Sequence, residues 1–291
     1  MAKMESRLMR KNLCALIYVI GILLSLSSHA KELGAKPKAI ELSPNCRELS
    51  RFGLPSREVR LLCKGAFLIG YSDAHKIPLW TIERLSRDSI LVSKGDERGT
   101  FQADTEVPLV FRSTLEDFIG SGFDRGHLVA AGNHVSNPST YRHTFLLSNV
   151  VPQVGVGFNR GIWKLLEDEV RLVGQCTDEL IVTTGAYFYS DSAVTEKQTV
   201  GNEVSVPDAL FKVLYIPSDQ LAIAFTAENR AHSSRNIDDL LISIDELERK
   251  SGFDFFSRLD ETTEESLEAG GSKRSWKVSN IGSGCKVSLQ R

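Results

Sequence analysis

A chain of 291 residues with 42% hydrophobic and 25% charged residues can bury a sizeable core, and its composition excludes a disordered, collagenous or multi-span membrane protein. Its formal net charge of −2 gives no overall attraction for polyanions, so any polyanionic ligand must be met by a local basic site.

Lys3, Arg7, Arg10 and Lys11 precede the apolar run Leu13–Leu26, and the small residues Ser28 and Ala30 follow it. This pattern predicts a secretory signal peptide over residues 1–30, because the run is shorter than the ~20 residues of a membrane-spanning helix; an uncleaved anchor is the competing reading. Cleavage after Ala30 removes four basic residues and one acidic residue, giving a periplasmic or secreted chain of net charge −5 with no membrane attachment. It also removes Cys14 and leaves Cys46, Cys63, Cys176 and Cys285, an even set in an oxidising compartment, which predicts two disulfides. Four cysteines allow three connectivities. Short spacing favours Cys46 with Cys63, leaving Cys176 for Cys285, whereas a zinc site lacks both a CxxC pair and a histidine at ligand spacing.

The mature chain reads as one domain over residues 31–260, followed by a linker-like tail over 261–291 that Cys285 would tie back. The runs `KGAFLIGYS` and `IPLWTIERLS` predict two strands, and Ser93–Thr105 a polar loop. `TFLLSNVVPQ`, Thr144–Gln153, reads as a buried strand ended by Pro152, with a glycine-containing loop behind it. A helix is then predicted from Asn159. At 100° per residue, Ile162, Leu165, Leu166, Val170, Leu172 and Val173 fall within a sector of roughly 160°. Asn159, Arg160, Trp163, Lys164, Glu167 and Arg171 share the other side. Further strands are expected in `ELIVTTGAYFY`, `ALFKVLYIP` and `QLAIAFTAE`, then an amphipathic helix in `NIDDLLISIDELERKSG` with Asn236 as N-cap and Gly252 at its end.

Three groups of residues carry chemistry. In `DRGH`, Asp124–His127, the imidazole suits activation of water near neutral pH, Arg125 offers a fork of donors for phosphate oxygens, and Gly126 permits close backbone approach. A polar strand end with a satisfied histidine explains the same letters equally well. Asn159 offers a hard neutral oxygen of the kind Mg2+ accepts, and Glu167, eight residues later on the same side, would accept hydrogen bonds from metal-bound water. The plainer alternatives are an N-cap asparagine and a glutamate paired with Lys164 or Arg171. Arg98, in the polar loop, is of a type and place to clamp charge developing on a phosphoryl group.

Other readings fall away. Gly155, Gly157 and Gly161 give GxGxxxG and not the dinucleotide pattern GxGxxG. Ser121 in `GSGF` lacks the GxSxG elbow of a serine hydrolase. His134 and His143 stand at spacings from His127 that match no common metal signature, and read as loop or packing residues.

Taken together, `PLWTIERL`, `SGFDRGHL`, `TFLLSNVVPQ`, `FNRGIWKLLEDEVR`, `VPDALFKVLY` and `SIDELERKSGFDFF` resemble, in order, segments of the DNA/RNA non-specific endonuclease family, over roughly Cys63 to Phe256. The resemblance implies an α+β fold with a central, mainly antiparallel sheet flanked by helices and a ββα-metal, or His-Me finger, active-site motif. It implies His127 as general base, Asn159 as the protein ligand of Mg2+, with Mn2+ as a substitute, and Glu167 as the acid that holds metal-bound water. By the same pattern Arg125 stands beside the base, Asn149 is a polar residue of the active-site strand, and Arg98 is the transition-state arginine. Ala130 and Gly132 depart from the proline and alanine usual in the family after the histidine, which bears on the shape of that loop.

The implied function is hydrolysis of phosphodiester bonds in DNA and RNA with little sequence preference, leaving 5′-phosphates. Arg160, Lys164 and Arg171 would supply the local basic track. The alternative is a secreted nucleic-acid-binding protein on the same fold without turnover. Monomer and homodimer both remain open.

Overall fold

The computed structural model describes residues 42–56, 58–90, 99–189 and 198–268, together with the backbone of 269, 276–281 and 284–289. The expected leader over 1–30, Arg98 and the side chain of Cys285 lie outside the described residues.

A short helix, α1 (Pro44–Leu49), opens the described chain behind the capping side chain of Ser43. Three antiparallel strands follow: β1 (Arg60–Cys63), β2 (Phe67–Ser72) and β3 (Ile77–Leu85). The disulfide Cys46–Cys63 joins α1 to the end of β1 as expected, and closing a loop of this size removes unfolded-state entropy worth about 3 kcal/mol. Cys176 is disulfide-bonded as well.

After α2 (Arg87–Ile90), the chain makes β4 (Asp124–His127), α3 (Pro138–Thr144) and β5 (Val150–Gln153), with β4 and β5 paired antiparallel so that His127 faces Val150 and Asp124 faces Gln153. An irregular turn over 155–162 then leads into α4 (Trp163–Cys176). β4, β5 and α4 together form two strands and a helix, the ββα unit.

Six more strands follow: β6 (Leu180–Tyr187), β7 (Thr199–Val200), β8 (Val204–Ser205), β9 (Ala209–Ile216), β10 (Leu221–Glu228) and β11 (Leu241–Ile242). One seven-stranded sheet runs β1-β2-β3-β6-β9-β10-β11, antiparallel throughout. Its central strands read as unbroken apolar runs because both faces are covered. In β9, Leu210, Leu214 and Ile216 enter the core under α4, whereas Phe211, Val213 and Tyr215 enter the core under α1 and α5 (Ile244–Ser251).

Four expectations are corrected by local chemistry. The helix begins at Trp163 and not at Asn159, because Gly157 (φ 84°) and Gly161 (φ −124°, ψ −116°) break the backbone before it. The buried face is also rotated from the counted sector: Trp163, close in angle to Leu166 and Val170, is fully buried, while Leu172, expected in the core, is 41% exposed. Leu147–Asn149 forms a 3-10 turn, so only Val150–Gln153 of the predicted strand is extended. The helix expected over `NIDDLLISIDELERKSG` divides into a short turn capped by Asn236, strand β11 and then α5, which Ser243 caps and Gly252 ends in the left-handed region; pairing of Leu241 and Ile242 with β10 wins over helical propensity. Within 261–291, where a linker-like tail was expected, lie a helix, α6 (Glu261–Ala269), and a hairpin of β12 (Trp276–Ile281) and β13 (Gly284–Leu289) beside α4.

Candidate active site

Alternation along β4 sorts the `DRGH` side chains onto two faces. Arg125 and His127 share one face, and both meet Phe101: the Arg125 guanidinium lies 4.7 Å from the ring centroid and the His127 ring 5.0 Å from it. Phe145 closes this side, edge-on to His127 at 5.0 Å. On the opposite face Gly126 lies against Gln153, where a Cβ would come within 2.0 Å of the Gln153 side chain, so any larger residue must displace Gln153. Gln153 is fully buried and donates from Nε2 to the His127 carbonyl at 3.4 Å.

His127 is largely enclosed, and its Nε2 is shut off from solvent with no hydrogen-bond partner among the described residues. Leaving a buried nitrogen unsatisfied costs about 1–3 kcal/mol, and such groups in a folded protein ask for an explanation. Burial pushes the His127 pKa down to about 4, which keeps the ring neutral at physiological pH.

Asp124 turns the other way. Its Oδ2 accepts a hydrogen bond from Asn159 Nδ2 at 2.9 Å, and Oδ1 pairs with Arg160 Nη1 at 3.1 Å. Asn159 is held there by the turn that Gly157 permits, its backbone N–H donating to the Val154 carbonyl at 2.9 Å. With Nδ2 engaged by Asp124, the amide oxygen of Asn159 remains as a hard, neutral donor. Asn159, Asp124 and Arg125 line one cleft of about 340 Å3 whose remaining wall is Phe101, Leu115, Phe118, Ile119 and Phe123. An amide oxygen oriented by a carboxylate suits a hard divalent cation and not a thiophilic metal. The one three-membered acidic group among the described residues, Asp245, Glu248 and Glu268, is carried by α5 and α6, which pack on the other face of the sheet.

The other expected residues are distributed differently. Asn149 is fully buried and spends its amide on the backbone: Oδ1 accepts from Val129 N–H at 2.9 Å, and Nδ2 donates to the carbonyls of Val129 (3.0 Å) and Thr144 (2.8 Å). It braces the chain leaving β4. Glu167 sits in the second turn of α4, like His127 does not line the 340 Å3 cleft, and is partly buried. Burial raises its carboxyl pKa, while the charges of Lys212, Arg171 and Lys164 pull it back. Arg160, Lys164 and Arg171 form no free basic track. Asp124 pairs with the first, and Asp168 pairs with Lys164 at 2.7 Å and Arg171 at 2.8 Å.

Lys212 was not anticipated. It is buried in the middle of β9, donates to Thr184 Oγ1 at 2.8 Å and lies 5.2 Å from the centroid of Trp163. Burial lowers its pKa, and the carboxylates of Glu167 and Glu83 oppose that shift. Glu83 in turn binds His134 Nε2 at 2.8 Å and Asn133 Nδ2 at 3.1 Å, the packing role expected of His134. A lone lysine inside the apolar run `ALFKVLYI` was the available signal, since a buried cation needs buried partners.

A family model described as DNA/RNA non-specific endonuclease matches residues 46–262. Nuclease C1 of Cunninghamella echinulata var. echinulata is 35% identical over 233 residues, covering 76% of this chain and 92% of its own length. Human mitochondrial endonuclease G is 34% identical, covering 72% of this chain and 73% of its own. Among solved structures, a chain from the crystal structure of the EndoG/EndoGI complex superposes with a TM-score of 0.66 at 27% identity, covering 79% of this chain and 96% of that one.

Proposed function

We propose, for a chain that belongs to the DNA/RNA non-specific endonuclease family, hydrolysis of DNA and RNA phosphodiester bonds in which His127 acts as general base and the products carry 5′-phosphates. The observation that carries this reading is the buried, neutral and unpartnered Nε2 of His127, on the strand whose other face fixes Asn159 through Asp124.

The chemistry follows from these side chains. Neutral His127 takes the proton of an attacking water at Nε2, and its apolar surround of Phe101 and Phe145 keeps it unprotonated until then. Asn159, with Glu167 acting through water, would hold the divalent cation, Mg2+ with Mn2+ as a substitute. When bound, that cation supplies Lewis-acid stabilisation of charge on the phosphoryl and leaving 3′ oxygens. Arg125 presents its guanidinium to the cleft and would orient the phosphate by charge-assisted hydrogen bonds. Asn149 acts by position, since its hydrogen bonds hold the backbone behind His127. Arg98 enters as the transition-state arginine on the family pattern alone. Arg160, Lys164 and Arg171 would contact the strand by giving up aspartate partners for phosphates, so cleavage should weaken with salt. Backbone and phosphate contacts position a strand without reading sequence, in keeping with low specificity.

The leader-like segment over 1–30 supports export, which N-terminal sequencing of the mature protein tests. Activity is tested on supercoiled plasmid: the reading requires nicking with Mg2+, loss in EDTA, and products ligatable through their 5′ ends. Binding without nicking under any divalent cation would favour the non-hydrolytic alternative.

A further inference from the structure

The wall of the 340 Å3 cleft facing Arg125 and Asn159 is apolar: Phe101, Leu115, Phe118, Ile119 and Phe123. Most of these side chains are at least partly covered, but Ile119, on the rim, is 78% exposed. A solitary exposed isoleucine is ordinary on a loose surface loop. This loop is fixed.

Buried Asp117, two residues earlier, accepts hydrogen bonds from the Thr114 N–H at 2.7 Å and from the Asn202 N–H at 2.7 Å, tying the loop to a second segment. Ser121 Oγ donates to the Phe118 carbonyl at 3.0 Å and accepts from the Phe123 N–H at 3.2 Å. Gly120 (φ 67°) and Gly122 (φ 81°) set the bend in the left-handed region, where other residues would be strained. The loop therefore presents an aliphatic side chain to solvent at a determined place, beside the groups proposed to meet the scissile phosphate.

The two halves of the cleft match the two halves of a nucleotide. Cationic Arg125, its plane settled over Phe101 at 4.7 Å, suits phosphate, and the Leu115, Phe118 and Phe123 side suits the flat apolar face of a base. A volume of about 340 Å3 lies at the small end of ligand sites, room for one base with its phosphate. Of the polar side chains lining the cleft, Asp124 and Asn159 are bonded to each other, and the apolar side offers no partner to a base edge.

We propose that the cleft is a base-accepting subsite: Ile119 wedges into a base step, and the nucleotide beside the scissile phosphate lodges unstacked against the apolar wall without regard to its identity. Aliphatic wedges of this kind open duplex base steps elsewhere, and single strands, which have less stacking to lose, need the wedge least. The proposal rests on the nuclease reading and adds the conformation of substrate that the site selects.

The test compares cleavage of matched single-stranded and duplex DNA by the wild-type protein, Ile119→Ser and Leu109→Ser. Leu109 is 74% exposed and lies outside the cleft, so it controls for loss of an exposed aliphatic residue. A cleavage-resistant duplex carrying 2-aminopurine reports unstacking by fluorescence. Ile119→Ser is expected to lower the duplex rate at least fivefold more than the single-strand rate and to abolish the 2-aminopurine rise seen with the wild type, whereas Leu109→Ser behaves as wild type in both. Equal losses on both substrates, or no rise with the wild-type protein, would overturn the proposal. Failure of the nuclease reading is separately visible as absence of cleavage of either strand form by the wild type; the fluorescence arm still decides the wedge, because it needs binding alone.

Discussion

Asp124 Oδ2 accepts a hydrogen bond from Asn159 Nδ2 at 2.9 Å, and this contact couples the strand that carries His127 to the turn that leads into α4. The aspartate of `DRGH` thereby belongs to the Asn159 half of the site and aims the amide oxygen.

Removing that support should cost metal affinity before it costs the fold, because partners that orient a ligand typically contribute about 10–100-fold. Asp124→Ala is expected to raise the Mg2+ concentration for half-maximal plasmid cleavage by about that factor, with activity returning at high metal. A titration with an unchanged midpoint would dissociate Asp124 from the metal site.

Gly126 tests the packing behind His127. A Cβ there would stand 2.0 Å from the Gln153 side chain, so Gly126→Ala overpacks a closed space. Urea unfolding should show a loss of about 1–3 kcal/mol. Shortening the neighbour in Gly126→Ala/Gln153→Ala should return part of it relative to the sum of the single losses.

Lys212 is buried against the charges of Glu167 and Glu83. Lys212→Met removes that buried cation and leaves Thr184 Oγ1 without its donor, and should destabilise by about 1–3 kcal/mol. Adding Glu167→Gln should recover a measurable part in thermal unfolding. A double variant no more stable than Lys212→Met would show that the two charges are not coupled.

The pH dependence of stability has a local source in the acidic group formed by α5 and α6. Burial, then the neighbouring charges led by Glu248, raises Glu268 from its ordinary 4.5 to about 7. A carboxyl whose folded pKa is raised favours the fold while protonated, so its contribution is full below pH 4.5 and disappears as pH rises through 7. Glu268→Gln should therefore raise Tm slightly at pH 8, because solvent screens so exposed a carboxyl, and leave it near wild type at pH 5. Equal shifts at the two pH values would refute the assignment.

Much of the sheet was legible in the sequence because β2, β3, β6, β9 and β10 are apolar runs of strand length bounded by turn residues, and covering both faces of the sheet is what makes them unbroken. The chemistry of His127 and Asn159 was legible from residue type, and their kinship from `DRGH` followed by `NRGIWKLLE`. Three things were not. Gly161 hides a break that moves the helix start, since one glycine in a helical pattern carries no direction. Asn149 lies in a turn whose hydrogen bonds reach Val129 and Thr144, contacts that no local pattern encodes. The cleft wall gathers Phe101 with the segment from Leu115 to Phe123, and only the tertiary fold makes them one surface.

His127→Ala on supercoiled plasmid with Mg2+ tests the central claim most directly. A positioned general base contributes about 10²–10⁴-fold, so the variant should lose at least a hundredfold in nicking rate while retaining its thermal stability and its binding of the same plasmid. Nicking by His127→Ala at the wild-type rate would contradict the account.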